Sequence, residues 1–225
     1  MKLFEKSVAQ KLYSNQGNPA VLGLVPPGAA KVLDVGCGDG ANAARLVARG
    51  AVVDGITLSA EESNIASKVC RRVWTHNLEL GLPNSMSDTY DCCICSHVLE
   101  HICWPGVLLQ DLRRVLSPQG GRLVVALPNL LFYKNRWALC RGKFCYAEGG
   151  LMDNTHFRWY TFQTAQQLLN EYGFHIEVAA GDGSFPLAPL RRWSPQLARA
   201  IDKIATRQWP GLFGWQFVLL CSVQT

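Results

Sequence analysis

Residues 32–46 read "VLDVGCGDGANAARL". An apolar run carries one acid, Asp34, and then breaks into glycines at alternating positions, Gly36, Gly38 and Gly40. A helical pattern follows, with Ala43, Leu46 and Val47 on one face. A glycine turn between a first strand and a helix lets backbone approach a ligand closely. The following helix adds free N–H groups and a positive dipole end. The spacing is not the Gly-x-Gly-x-x-Gly of dinucleotide binders. A carboxylate two residues before the first glycine suits a ligand bearing an ammonium better than one bearing a pyrophosphate. Two plainer readings stay open: a tight turn with no ligand, and Asp34 as a cap of the next helix.

Outward from this stretch, apolar strand-like runs alternate with helical patterns. Strands are expected at "AKVLDVG", "AVVDGITL", "RRVWTHNL", "YDCCICS", "GRLVVALPN", "FHIEVAAG" and "GWQFVLLCSV". Helices are expected between them, including "SAEESNIASKVC", where Ser59 and Glu62 form a capping-box signature. Strands this apolar argue for a parallel sheet covered on both faces by right-handed crossovers. The last two strands are separated by 182–212, with a helix at 195–208 that Ser194 is expected to cap. Leu197, Ala200, Ile201 and Ile204 form an apolar stripe on that helix, beside Arg and Lys. Such a stripe could lie on a membrane surface; the favoured expectation is that it packs on the sheet or over a substrate cleft.

The chain of 225 residues is expected to form one domain, 1–225, with a sizeable core. Its net charge of +5 does not by itself imply nucleic acid. The first sixteen residues lack an apolar core of signal-peptide length, and no window approaches the ~20 apolar residues of a membrane span. A soluble, cytoplasmic protein is expected. Nine cysteines, several within apolar runs, fit reduced core thiols. Cys92 and Cys95 have zinc-like spacing, but no second pair matches it, and packing is the favoured reading, with no metal expected.

"LVPPGAAKVLDVGCGDG", "LPNSMSDTYDCCICSHVLEHI", "LRRVLSPQGGRLVVALPN" and "LLNEYGFHIEV" stand in the order and spacing of the class I methyltransferases that use S-adenosylmethionine. The chain resembles that family over most of residues 20–180. The resemblance implies an α/β fold with a doubly wound, mostly parallel seven-stranded sheet and an antiparallel last strand. It places Gly36, Gly38 and Gly40 along S-adenosyl-L-methionine, with Asp34 near its amino group. After the second strand the family usually carries an acid for the ribose hydroxyls; here Thr57 stands at that place, and Glu62 could supply the carboxylate. Asn77 and Leu78 match the adenine position, and Ser96 would lie beside the methionine portion. Tyr13 falls in an N-terminal segment, 1–28, that often folds over the cofactor.

Methyl transfer to a hydroxyl profits from a base tuned near neutrality, and His is the usual one. His156, in the irregular part of the insertion 130–160, is the favoured base, with His97 second; the alternative is that His156 only pins its loop. His97 and His101, four apart, share a face if "SHVLEHI" is helical. Asp153, Arg158 and Trp159 could contact a polar acceptor. "LPNLLFYKNRWALCRGKF" and "DNTHFRWYTFQTAQQLL" are similar to methyltransferases of sugar and polysaccharide biosynthesis, which implies a small or carbohydrate-like acceptor. The Asn/Asp-Pro-Pro-aromatic motif of DNA amino-methyltransferases is absent at the fourth strand, where "CSHV" stands, which argues against nucleic acid. The alternatives are a cofactor-binding regulatory protein without turnover, and N-methylation of a small metabolite.

Overall fold

The structure, a computed structural model, describes residues 16–224. Its elements are α1 (Pro19–Leu24), β1 (Lys31–Val35), α2 (Ala41–Val47), β2 (Val52–Thr57), α3 (Ala60–Ala66), β3 (Arg72–Thr75), β4 (Cys92–Ser96), α4 (Gly106–Val115), β5 (Arg122–Pro128), α5 (Tyr133–Cys140), α6 (Phe162–Glu171), β6 (Phe174–Gly183), α7 (Ala188–Trp193), α8 (Pro195–Gln208), α9 (Pro210–Phe213) and β7 (Gly214–Val223). The seven strands form one sheet in the order β3-β2-β1-β4-β5-β7-β6. Strands β1 to β5 pair in parallel, and β7 runs antiparallel to both β5 and β6. The expected fold class is therefore what forms. Strand order reverses between β1 and β4, which opens a crevice at their carboxyl ends.

The sheet divides the core by strand alternation. Leu33, Val35, Cys93 and Cys95 face one layer, with Leu108, Leu109, Leu112 and Val115 of α4 and Leu169 of α6. Val32, Cys92 and Ile94 face the other, with Val21 and Leu22 of α1 and Ala43 and Leu46 of α2. Cys92 and Cys95 thus lie on opposite faces of β4 and cannot share an ion. Burial pushes the Cys92 thiol up to about 12. Among the described residues, no helix is long and apolar enough to cross a membrane.

Three local expectations need correction. Ser59 does accept from the Glu62 N–H at 3.4 Å, but Glu62 turns its carboxylate to Thr57 instead of closing the box. Ser194 makes no side-chain cap to α8. The apolar stripe of α8 packs only at Ile201, which is half-buried. Ala198, Asp202, Ala205 and Thr206 form the buried face, while Leu197 and Ile204 are 51 % and 66 % exposed. Asp202 sets this rotation. Its carboxylate accepts from both Arg191 Nη atoms, at 2.6 and 2.8 Å, and from the Phe185 N–H at 2.8 Å. At 100° per residue, turning the stripe inward would swing Asp202 away from these partners.

Candidate functional site

The glycine turn closes the carboxyl end of β1. Gly36, Gly38 and Gly40 all adopt positive φ, +73°, +54° and +88°. A Cβ on Gly36 would lie 2.5 Å from Val98 Cγ2, so that glycine is required by packing as well as by φ. The turn is pinned where the Cys37 N–H donates to the Ile56 carbonyl at 2.8 Å. Helix α2 starts from Gly40, with no side chain capping it. Asp34 therefore does not cap α2.

Asp34 is 1 % exposed, and its Oδ2 has no hydrogen-bond partner among the described residues. Burial pushes its carboxyl up to about 7. An orphaned carboxylate costs stability unless something pairs with it. It lies on β1, two residues before the glycine turn.

The neighbouring strand end supplies a second carboxylate. Thr57 and Glu62 are 3 % and 4 % exposed, and the Thr57 hydroxyl donates to Glu62 Oε2 at 2.5 Å. The two residues that the resemblance put forward for one task are thus in contact. Beyond β3, the His76 N–H donates to the Thr57 carbonyl, and its buried Nε2 has no partner among the described residues. Asn77 is exposed and accepts from the Glu79 N–H at 3.1 Å, opening the 3-10 turn Leu78–Leu80. Leu78 is half-buried against the first core layer. Tyr13 lies outside the described residues.

On the other side of the crevice, Ser96 ends β4 and accepts from Asn18 Nδ2 at 3.3 Å. The next residue, His97, has φ +57°, the only positive value among described non-glycine residues. Such strain persists only where surrounding contacts enforce it. Here Glu100 Oε1 lies 3.1 Å from Nδ1, Gln216 Oε1 lies 2.9 Å from Nε2, and the Trp215 ring stacks at 6.0 Å. Gln216 donates its own Nε2 to Asp182 at 2.7 Å, which leaves Oε1 facing His97. Both imidazole nitrogens then meet acceptors, which favours the cation. Burial pulls His97 down, but the hydrogen bond and charge of Glu100 reverse this, and the ring titrates above an ordinary histidine. Glu100, fully buried, is pushed up by burial and brought below the usual carboxylate range by His97, His101 and His156.

His97 and His101 do not share a helix face, because only Leu99–His101 coils, as one 3-10 turn. His156 sits beneath the crevice wall. It is 8 % exposed and packs edge-on against His101 at 4.7 Å and Trp159 at 5.3 Å. Burial lowers it to about 4. Ligand atoms of Glu100, His101 and His156 lie within 4.8 Å of one another, a spacing compatible with a metal ion. Asp153 is buried and accepts from the Thr155 N–H and hydroxyl, and Arg158 donates to the Cys103 carbonyl. Both brace the loop.

Sequence reading passed over Glu100, Asn18, Asp182 and Gln216. The signal for Glu100 was present, three residues after His97. Nothing in the sequence joins Gln216 to His97 across 119 residues. Asp182 also borders a cavity of about 430 Å³ that Arg199, Lys203 and Thr206 line.

Residues 9–178 match a methyltransferase-domain family. A ubiquinone biosynthesis O-methyltransferase of Paracidovorax citrulli is 31 % identical over 111 residues, 44 % of each chain. The chain thus spans less than half the length of that relative. An uncharacterized methyltransferase of Mycobacterium bovis is 29 % identical over 155 residues, 64 % of this chain and 77 % of that one. The crystal structure of an S-adenosylmethionine-dependent methyltransferase from Mesorhizobium loti superposes with a TM-score of 0.60 at 20 % identity, covering 91 % of this chain and 96 % of the other. At that identity the likeness concerns the fold.

Proposed function

The chain belongs to the methyltransferase-domain family, and on that premise we propose that it transfers a methyl group from S-adenosylmethionine to a hydroxyl of a small or carbohydrate-like acceptor. The observation that carries the cofactor is Asp34 Oδ2, buried and unpaired two residues before the glycine turn. An ammonium is the partner it lacks. The turn through Gly36, Gly38 and Gly40 presents backbone to the chain of the ligand, the Thr57–Glu62 pair offers acceptors for two ribose hydroxyls, and His76 with Leu78 walls the adenine. Ser96 borders the methionine end.

Bound adenosylmethionine supplies a methyl on a sulfonium, open to in-line displacement. The chain's own task is to align the acceptor, exclude water and remove its proton. His97 stands at the crevice for this task, whereas His156 is walled in and lowered to about 4, too weak a base at neutral pH. Glu100 orients His97 through Nδ1. Once the ring loses its proton and Gln216 yields Nε2, that nitrogen accepts from the acceptor hydroxyl. His101 and His156 border the buried side of Glu100, and Asp182 meets the pair only through Gln216. The rate should therefore rise with pH through a value above the ordinary histidine pKa of about 6.5.

The test is labelled-methyl transfer from adenosylmethionine to a panel of phenolic and sugar hydroxyl acceptors, with calorimetry of S-adenosylhomocysteine beside it. On any acceptor found, His97→Ala should lower kcat by ~10²–10⁴-fold with cofactor affinity little changed. Cofactor binding with no turnover on any acceptor would instead favour a regulatory role. His156→Ala carrying the larger kinetic loss would return the base to His156.

A further inference from the structure

We propose that α8 and the residues flanking it form a docking surface for an anionic lipid bilayer. The rotation that Asp202 imposes leaves all of the apolar stripe but Ile201 in solvent. Trp193 is 92 % exposed, Leu197 51 %, Ile204 66 % and Trp209 56 %. Arg192, Lys203 and Arg207 are exposed around them, while Arg199, about 160° round the helix from Leu197, faces the cavity side. Asp202, the single acid from 185 to 211, is buried and spent on Arg191, so the outward face carries cations alone.

Apolar area and charge of one sign, side by side on one helix, match an interface with an acyl boundary below and anionic headgroups above. Exposed tryptophans at both ends of the helix suit that same depth. A second copy of this chain would set the cations against each other across a two-fold axis, which disfavours a dimer. A nucleic acid would take the cations but give Leu197 and Ile204 nothing to bury against. The bilayer satisfies both halves. The proposal does not depend on the methyl-transfer reading.

The experiment is co-sedimentation of the full chain with phosphatidylcholine vesicles, with and without roughly 30 % phosphatidylserine, a PS-rich surface. Binding is expected to the anionic vesicles only, to weaken at high salt, and to shift tryptophan fluorescence to the blue. Ile204→Glu and Leu197→Glu should each cut binding at least tenfold without changing Tm or S-adenosylhomocysteine affinity. Arg192→Ala and Arg207→Ala should each cost about fivefold, from ~1 kcal/mol per cation. No vesicle binding would overturn the proposal. So would Ile204→Glu binding as well as the parent, a dimer abolished by Ile204→Glu in the absence of lipid binding, or retention on a polyanion with no affinity for vesicles.

Discussion

Asp34 and Asp54 are buried acids one strand apart. They sit in β1 and β2 at 1 % and 0 % exposure, and Asp54 pairs in register with Leu33, the residue before Asp34. Their surroundings are opposite. Asp54 accepts from Arg71 Nε at 2.9 Å and from the Tyr90 hydroxyl at 2.9 Å, with Arg72 close by. Burial pushes it up, and these partners bring it below the usual carboxylate range. Asp34 has burial alone, and rises to about 7. One acid is finished by the fold. The other awaits something from outside, and that difference marks the site better than burial or charge does.

The comparison can be broken by exchanging each acid for its amide. Asp54→Asn should cost about 1.5–3 kcal/mol of stability, because it removes the charged acceptor of the Arg71 and Tyr90 hydrogen bonds, and the protein that remains folded should bind S-adenosylhomocysteine as before. Chemical denaturation with calorimetry on the native fraction checks both halves. Asp34→Asn should do the reverse, with cofactor affinity falling at least 100-fold. Its folded pKa is raised above the unfolded 3.8, so ionisation opposes folding progressively from pH 4 to 7. The variant should therefore be more stable at pH 8 by up to about 4 kcal/mol, read as a higher Tm. A destabilised variant that still binds would make Asp34 a structural acid like Asp54.

Smaller effects sharpen the picture. Glu62→Ala removes a charged acceptor and should weaken cofactor binding by about 1.5–3 kcal/mol; a loss of a few tenths would leave Glu62 as a helix-start residue only. Affinity should also follow pH. Below the Asp34 value of about 7, it should drop up to tenfold per unit as the carboxyl takes its proton. At higher pH the amino group of the ligand loses its charge, so calorimetry across pH should show a maximum above the Asp34 value. Asn77→Ala should change affinity by no more than about 1 kcal/mol, since the exposed side chain already serves the Glu79 N–H.

A similar contrast separates α4 from α8. Both carry apolar residues at helical spacing. In α4 the stripe of Leu108, Leu109, Leu112 and Val115 is the buried face, as periodicity implies. In α8 the same logic points the wrong way, because burying Asp202 with Arg191 outweighs burying Leu197 and Ile204. Periodicity counts apolar side chains and is blind to an acid whose partner lies eleven residues upstream.

The sequence by itself determined the strand–helix alternation, the glycine turn with its acid, and, through the family resemblance, the placing of Thr57 and Glu62 in one task. Each of these is local: a run of apolar residues, a φ only glycine tolerates, or two side chains five positions apart. Tertiary structure decided the rest. It left Asp34 without a partner, locked His97 between Glu100 and Gln216, walled in His156 and turned the stripe of α8 outward. Those outcomes depend on which groups from distant strands and loops arrive at the same place, and on the cost of burying a charge that none of them reaches.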